Sequence, residues 1–417
     1  MELVGVAVLA GFVLAFALVS RRLETTPVTG PMLFVGVGIL LGSSGVDLLE
    51  VGMDQGTVRV LAEATLVLLL FTDAIRIDLR RLRDQIDLPA RLLGIGLPLT
   101  VIAGTLLAVV ILPGLGIWEA ALVAAILSPT DAALGQAVVS NQKVPARIRQ
   151  ALNVESGLND GIMLPVITLL LAATAAGVDL ETPQYWARFA ARQIGFGALV
   201  GIALGYGGGW LIVRFSNRGW MDGAFRQLAT LAVGVAAFAA AESLGGNGFV
   251  AAFVAGLAFG AAAREHCDGV YDFAEDEGQL LALLTFLFFG AALAGPALSQ
   301  LTWQIALYAL ASLTIVRMVP VALSLVRSGL HPVTVAYFGW FGPGGLASIV
   351  FGLFILEEAD LPMGDDLFLV VTWTVLASVF LHGATSVALS ERYASWFSRR
   401  VVEAMPEADE VEEMPTR

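Results

Sequence analysis

Residues 117–140 read IWEAALVAAILSPTDAALGQAVVS. The run is long enough to cross a bilayer, because a membrane helix needs about 20 predominantly apolar residues. Its middle is interrupted from Ser128 to Asp131, and Pro129 removes a backbone donor and clashes with the carbonyl one turn earlier. At membrane depth such a break is tolerated only where it is buried in protein or lines a cavity. The stretch therefore predicts a broken membrane helix at an ion site; the alternative is an ordinary proline kink.

The whole chain has the composition of a protein whose main solvent is lipid. Of its 417 residues, 57% are hydrophobic and 14% are charged, whereas soluble domains carry about 25% charged residues. The formal net charge of -13 excludes a basic nucleic-acid-binding surface. One cysteine, Cys267, and three scattered histidines provide neither a disulfide framework nor the spacing of a zinc site. The lipid bilayer is thus the first predicted partner.

Apolar segments of spanning length recur along the chain, and their lengths predict thirteen membrane spans. They lie near residues 2–20, 30–44, 57–75, 90–112, 117–140, 148–174, 187–215, 223–243, 247–262, 279–295, 300–326, 333–356 and 366–390. The first span begins after Glu2 rather than after a basic region, and its arginines follow the apolar run. We therefore interpret it as a retained span and not as a cleaved signal peptide.

The basic residues predict the orientation of these spans. Arginines and the one lysine cluster in every second loop, and the intervening loops are acidic or neutral. Basic loops face the cytoplasm, so the alternation predicts a multi-pass inner-membrane protein with its N-terminus outside and its C-terminus in the cytoplasm. Residues 401–417 are acidic and poor in apolar residues, which predicts a disordered cytoplasmic tail.

A few ionisable residues interrupt the apolar spans, and each costs at least ~2.5–3.5 kcal/mol on insertion scales. Asp131 lies in the fifth span, Glu155 and Asp160 lie in the sixth, and Arg317 lies in the eleventh. Ionisable residues in such places often mark the path of a transported ion. Other carboxylates, nearer span ends or in other spans, are interpreted as partners that hold helices together: Glu63, Asp73 and Glu242.

The sixth span contains NVESGLND at residues 153–160. Residues four apart share a helix face, so Glu155 lies over Asn159 and Ser156 lies over Asp160, on adjoining stripes. Two carboxylates, an amide and a hydroxyl converge on one side of the helix, and such oxygen groups suit a hard monovalent cation. Because burial disfavours the ionised form of a carboxylate, protons can compete with that cation.

Arg317 is alone in its apolar span and therefore requires a counter-charge. Glu155 is the partner that we predict. This pair would keep Glu155 ionised and would leave Asp160 as the exchangeable carboxylate.

Together these motifs resemble the signature of a known transporter family. Residues 128–131 (SPTD), followed by 155–156 (ES) and 159–160 (ND), are similar to the signature of monovalent cation:proton antiporters of the NhaP type. These are the bacterial relatives of eukaryotic sodium/proton exchangers. Residues 144–148 (VPARI) before the sixth span and residues 71–74 (FTDA) ending the third are also typical of the family. The resemblance covers the whole transmembrane region.

The resemblance implies an all-α fold of two inverted six-helix repeats, joined by a connector span at residues 187–215. Spans five and twelve would be broken and would cross near the transported ion. Residues 90–174 and 300–390 would form the transporting core. The dimerisation region of a homodimer would comprise residues 2–75 and 223–295. Transport would proceed by an elevator-like movement of the core.

For the site, the resemblance implies that Asp160 binds a sodium ion or a proton in turn, with Ser156 and the Thr130 main chain as further sodium ligands. Asn159 before Asp160, in place of a second aspartate, is similar to the electroneutral branch, which exchanges one cation for one proton. Asp131 would offset the dipoles of the half-helices at the crossing. The sodium ion and the proton would be cargo, and no cofactor is implied.

One residue departs from the family pattern. Residues 341–346 in the twelfth span read FGPGGL, and relatives usually carry arginine where Gly344 stands. Pro343 and Gly344 still suit a broken helix. The missing positive charge predicts either a lower activity or compensation by Arg317 or by bound water.

The same residues are compatible with other functions. A potassium/proton antiporter is the nearest alternative, because the same oxygen atoms could coordinate a larger ion. A channel would need a continuous pore in place of a site at a helix crossing. An intramembrane enzyme is disfavoured, because neither a Tyr-Asp nor a Gly-x-Gly-Asp arrangement surrounds Asp131 and Asp160. His382 has no nucleophile motif beside it and is interpreted as a packed polar residue.

Overall fold

A computed structural model describes residues 3–23, 26–48, 55–78, 82–83, 86–131, 134, 138, 141–176, 183–263, 268–358, 363–400 and 405–408. These residues form helices and loops and no β-strand. Helices suit an apolar chain in lipid, because each helix satisfies its own backbone hydrogen bonds.

The first half of the described chain contains helices α1 (Leu3–Leu23), α2 (Gly30–Leu41), α3 (Gln55–Arg76), α4 (Asp87–Ile111), α5 (Ile117–Leu127) and α6 (Ala146–Ala176). The second half contains α7 (Gln184–Ser216), α8 (Gly223–Ser243), α9 (Gly248–Ala263), α10 (Asp268–Phe288, continued by a π-helical turn, Phe289–Ala294), α11 (Trp303–Ser324), α12 (Pro332–Trp340), α13 (Leu346–Glu358) and α14 (Gly364–Ser398). A 3₁₀ turn, Pro406–Ala408, follows near the end of the described residues.

Eight helices in the described part are long and apolar enough to cross a membrane, and three shorter helices, α2, α5 and α9, are also apolar. The predicted class, an all-α polytopic membrane protein, is confirmed. The number of thirteen spans stays a prediction.

The ends of several helices coincide with residues that cap them. The carboxylate of Asp222 accepts a hydrogen bond from the N–H of Gly223 at 2.7 Å at the start of α8. The hydroxyl of Thr302 accepts one from Ile305 at 3.3 Å at the start of α11. Pro332 occupies the first turn of α12, where its missing N–H costs nothing.

Prolines explain most of the widened turns within the helices. Turns of π-helix occur at Leu92–Gly96, Ala191–Phe196, Phe289–Ala294 and Ser312–Val316. Three of them contain the residue four positions before a proline: Gly94 before Pro98, Ala292 before Pro296 and Val316 before Pro320. A proline ring clashes with the carbonyl group at that position, and a wider turn relieves the clash. In α11 the widened turn ends directly before Arg317 and so contributes to its placement.

Glycines allow α7 and α9 to approach each other closely. Gly197, Gly201 and Gly205 recur at every fourth position and therefore lie on one face of α7. A Cβ atom on any of these glycines would collide with a backbone carbonyl group. The carbonyl groups are those of Asn247, directly before α9, and of Ala251 and Ala255 within α9. Small residues at helix interfaces are typical of membrane proteins, because they allow backbones to pack directly.

Both predicted interruptions are present where the structure describes them. Helix α5 ends at Leu127, and residues 128–131 are not helical. Residues 341–345, between α12 and α13, are also not helical. Of the remainder of the predicted fifth span, residues 132, 133, 135–137, 139 and 140 lie outside the described residues.

The structure differs from the sequence-based expectation at the C-terminal tail. Three residues of the predicted disordered tail, Pro406–Ala408, form a 3₁₀ turn, and Glu407 within it is 1% exposed. Its hydrogen bonds to the helices, described below, account for this order. Residues 401–404 and 409–417 of the tail lie outside the described residues.

Candidate ion site at the crossing of two interrupted helices

The two interrupted segments meet through their backbones. The N–H of Asp131, after the end of α5, donates a hydrogen bond to the carbonyl oxygen of Pro343 at 2.7 Å. Helices leave unsatisfied backbone groups at their ends, so interrupting two helices at one depth brings several free N–H and C=O groups together. Here one such N–H group, that of Asp131, and one such C=O group, that of Pro343, bind each other and join the two segments.

The side chain of Asp131 completes this junction. Its Oδ2 atom accepts a hydrogen bond of 2.7 Å from the N–H of Leu346, the first residue of α13. A carboxylate at a helix N-terminus satisfies a free N–H group and interacts favourably with the positive end of the helix dipole. In the opposite direction, the hydroxyl of Ser348 in α13 donates to the carbonyl oxygen of Ile126 near the end of α5, at 2.7 Å.

Gly345 is required at this junction for steric reasons. A Cβ atom on this residue would collide with the carboxylate of Asp131. At Gly344, in contrast, the nearest atoms to an added Cβ would be the Leu127 carbonyl oxygen at 3.6 Å and Ser348 Oγ at 3.7 Å. A Cβ atom therefore fits at Gly344, and packing at this position does not require glycine.

Helix α6 holds the interruption of α5 through two polar side chains. The hydroxyl of Ser156 donates to the carbonyl oxygen of Thr130 at 2.6 Å, and Nδ2 of Asn159 donates to the Thr130 hydroxyl at 2.6 Å. The Oδ1 atom of Asn159, which is 1% exposed, accepts no hydrogen bond from the described residues. Oxygen atoms of Thr130, Ser156 and Asn159 are thus gathered in one buried place.

Asp160 follows Asn159 on the same helix and is partly buried. The next residue, Gly161, lies against Phe253 of α9, and a Cβ atom on it would clash with that ring. Asp160 is therefore adjacent in sequence to the residues that contact Thr130, at a point where α6 and α9 approach each other closely.

Arg317 of α11 forms an ion pair with Glu155 of α6, between Nη2 and Oε1. Glu155 is 2% exposed and Arg317 is 4% exposed. Loss of one partner of such a buried pair leaves the charge of the other uncompensated. The structure thus places together the two residues that were paired from the sequence.

Arg317 also faces the crossing. Its guanidinium group lies against Gly342, in the segment between α12 and α13. A cavity of about 10 Å³ beside it is lined by Ser128, Tyr308 and Gly344, among others, and is close to the smallest cavity that holds one water molecule. Arg317 therefore brings a positive charge to the cavity that Gly344 lines.

Some residues of the crossing carry no clear signal in the sequence. Ser348 is a single hydroxyl in an apolar helix, and only its contact with Ile126 distinguishes it. Gly345 is one of several glycines in residues 342–345. Glu242 behaves as expected for a helix-joining carboxylate, because it accepts a hydrogen bond from the N–H of Gly248 at the start of α9 at 2.7 Å. Glu63 and Asp73 are partly buried on α3.

Two interrupted helices that cross beside buried carboxylates form an arrangement known from secondary transporters, in which half-helix ends and unwound backbone surround the transported ion. The chain belongs to the family described as "Sodium/hydrogen exchanger, transmembrane", whose profile matches residues 7–392.

Curated relatives include antiporters with different named ions. The chain is 26% identical over 386 residues to the K(+)/H(+) antiporter NhaP2 of Shewanella sp. (strain ANA-3), covering 91% of this chain and 64% of the relative. It is 26% identical over 361 residues to the K(+)/H(+) antiporter NhaP of Alkalimonas amylolytica, covering 85% and 61%. It is 25% identical over 325 residues to the Na(+)/H(+) antiporter 2 of Zygosaccharomyces rouxii, covering 69% and 40%. The chain thus spans less than two thirds of the length of these relatives.

A solved structure has the same fold. The sodium proton antiporter MjNhaP1 from Methanocaldococcus jannaschii, solved at pH 8, superposes with a TM-score of 0.75 at 21% sequence identity. The match covers 94% of this chain and 100% of that one. It supports the predicted antiporter fold.

Proposed function

We propose that this chain is a secondary antiporter that exchanges a monovalent cation, sodium or lithium, for a proton across the cell membrane. The two ions would compete for Asp160. One observation carries the proposal: Ser156 and Asn159, from the helix of Asp160, both hydrogen-bond Thr130 in the interruption of α5. Membership in the sodium/hydrogen exchanger family supports the same activity.

The chemistry of these groups suits a cation that exchanges with a proton. Thr130 and Ser156 supply neutral oxygen atoms, and Asp160 supplies a negative charge that either ion can neutralise. A partly buried carboxylate is costly to leave ionised without a counter-ion. The cation and the proton therefore exclude each other at Asp160, and this exclusion couples their movements.

Asp160 is the exchangeable carboxylate because its neighbours have other roles. Glu155 is neutralised by Arg317, and the carboxylate of Asp131 accepts the N–H of Leu346. Asn159 is neutral. With a single exchangeable charge, one cation would replace one proton, and the exchange would be electroneutral.

The remaining features of the proposal concern movement and assembly. Residues 90–174 and 300–390 would move as the transporting core against residues 2–75 and 223–295, which would form the interface of a homodimer. Residues 187–215 would connect the two repeats. The N-terminus would lie outside the cell and the C-terminus in the cytoplasm, where such an exchanger contributes to pH homeostasis.

A second candidate is potassium/proton exchange, which is favoured by the names of the bacterial relatives. The same site would serve, because Asp160 and neutral oxygen atoms could coordinate either ion. A low-activity variant is a third possibility, since Gly344 brings no positive charge to the crossing. The position of Arg317 beside the cavity that Gly344 lines supports compensation instead.

The experiment that tests the function is cation-induced dequenching of a pH-sensitive dye in everted vesicles, with sodium, lithium and potassium compared. Asp160→Asn is expected to abolish the response to all three ions. Asp87→Asn is the matched control, because Asp87 is exposed and pairs with Arg91 at 3.0 Å. A response that survives Asp160→Asn in reconstituted liposomes overturns the proposal. An unchanged rate when the membrane potential is clamped supports one-for-one exchange, and a potential-dependent rate contradicts it.

A further inference from the structure

Glu407 is a carboxylate in an unusual position. It lies in the turn Pro406–Ala408, within the acidic stretch that follows the last long helix, α14. Glu407 is 1% exposed. Glutamate is almost never fully buried unless it is paired or hydrogen-bonded. The groups that surround Glu407 therefore form a site that accommodates a carboxylate.

Two donors from the start of α12 bind one oxygen atom of this carboxylate. Oε1 of Glu407 accepts a hydrogen bond from the N–H of His331 at 2.7 Å and another from the hydroxyl of Thr334 at 2.9 Å. The hydroxyl of Tyr393 lies 3.0 Å from that of Thr334. Because the Thr334 hydrogen is directed to Glu407, Tyr393 is the donor in that contact. The positive end of the α12 dipole adds to the attraction.

A second anchor comes from α6. Nη1 of Arg147, in the first turn of α6, donates to the carbonyl oxygen of Pro406 at 2.6 Å. Pro406 also lies against Gly329, in the loop before α12. The turn therefore contacts the first turn of α6, the loop before α12 and the first turn of α12.

We propose that these residues form an intramolecular docking site for the chain's own acidic tail, with Glu407 as the anchor. The occupant is a Pro-Glu segment: Arg147 binds its backbone, and the N-terminus of α12 binds its carboxylate. Docking ties α6, which carries Ser156 and Asp160, to α12, which leads into the crossing.

Hydrogen–deuterium exchange of the full-length protein tests this site. The His331 N–H precedes the first turn of α12 and has no acceptor within that helix, so its protection depends on Glu407. In Glu407→Ala, exchange of a peptide that contains His331 is expected to rise about tenfold or more, because hydrogen bonds to charged acceptors are the stronger ones. Glu412→Ala is the control in the same acidic stretch. No change in Glu407→Ala, or an equal change in Glu412→Ala, overturns the proposal.

A second measurement guards against misfolding of the variant. A synthetic peptide of residues 401–417, added to full-length Glu407→Ala, is expected to restore the protection of His331. The same peptide with Glu407→Ala is expected to have no effect, and equal protection by both peptides contradicts the proposal. Neither readout involves ion transport, so failure of the antiport proposal and failure of tail docking are distinguishable.

Discussion

The backbone N–H of Asp131 donates to the carbonyl oxygen of Pro343 at 2.7 Å, and this bond joins two helix interruptions that are far apart in the sequence. The side chain of Asp131 strengthens the junction by accepting the N–H of Leu346. Asp131 therefore acts as donor and acceptor at once in the crossing, which the Ser348 bond to Ile126 also holds, and the site of Thr130 lies next to it.

Asp131→Ala is expected to destabilise the protein, because it leaves the buried N–H of Leu346 without its acceptor. A loss of about 1–3 kcal/mol is the usual cost of such a group. Asp131→Asn should lose less, because the amide oxygen can still accept the bond. Thermal unfolding in detergent, followed by tryptophan fluorescence, measures the difference. Asp87→Ala is the exposed control, and an equal Tm for Asp87→Ala and Asp131→Ala would contradict the capping role.

Arg317→Ala should destabilise the protein far more than Arg327→Ala, because Arg317 neutralises buried Glu155 whereas Arg327 is exposed. Loss of one partner of a buried pair typically costs about 3–5 kcal/mol. Adding Glu155→Gln should recover part of the loss, because it removes the uncompensated charge. Denaturation midpoints of the two single variants, the double variant and the parent protein give the comparison. Equal tolerance of the two arginine changes would exclude a stabilising pair.

Gly345→Ala tests the close contact between the α12–α13 segment and Asp131, and Gly344→Ala at the neighbouring position is its control. The first places a Cβ atom against the carboxylate of Asp131, and the second places one no closer than 3.6 Å to any neighbour. Overpacking of a close junction costs about 1–3 kcal/mol, so only Gly345→Ala should lower the Tm and the dye response. Similar behaviour of both variants would show that Asp131 can move away without loss.

Ser156→Ala should weaken cation binding, because the Ser156 hydroxyl holds the Thr130 carbonyl group at 2.6 Å. We expect the cation concentration for a half-maximal dye response to rise roughly tenfold, which corresponds to about 1.4 kcal/mol, with little change in the maximal response. Thr174→Val is the control, because it also removes a hydroxyl group from α6. The Thr174 hydroxyl donates to the Leu170 carbonyl oxygen within the same helix. An unchanged half-maximal concentration in Ser156→Ala would remove Ser156 from the site.

The sequence alone determined the features that depend on local chemistry. Apolar runs of spanning length become helices because lipid offers no other hydrogen-bonding partners to the backbone. Pro129 and Pro343 mark interruptions because each lies in a polar or glycine-rich stretch as well as lacking an N–H donor, whereas Pro165, in an apolar stretch, lies inside α6. Arg317 required a buried counter-charge, and Glu155 was one of few available.

The tertiary structure decided which groups meet. Helical spacing placed Ser156 above Asp160, but only the packing of α5 against α6 shows that Ser156 and Asn159 both hold Thr130. Asp131 could be assigned to a crossing, yet its bond to Leu346 depends on how α13 approaches α5. Glu407 lies in a stretch whose composition predicts disorder, and it is ordered because His331, Thr334 and Arg147 supply donors from distant parts of the chain. Composition and periodicity report how each residue interacts with solvent and its own helix, whereas contacts between helices arise only when the whole bundle is packed.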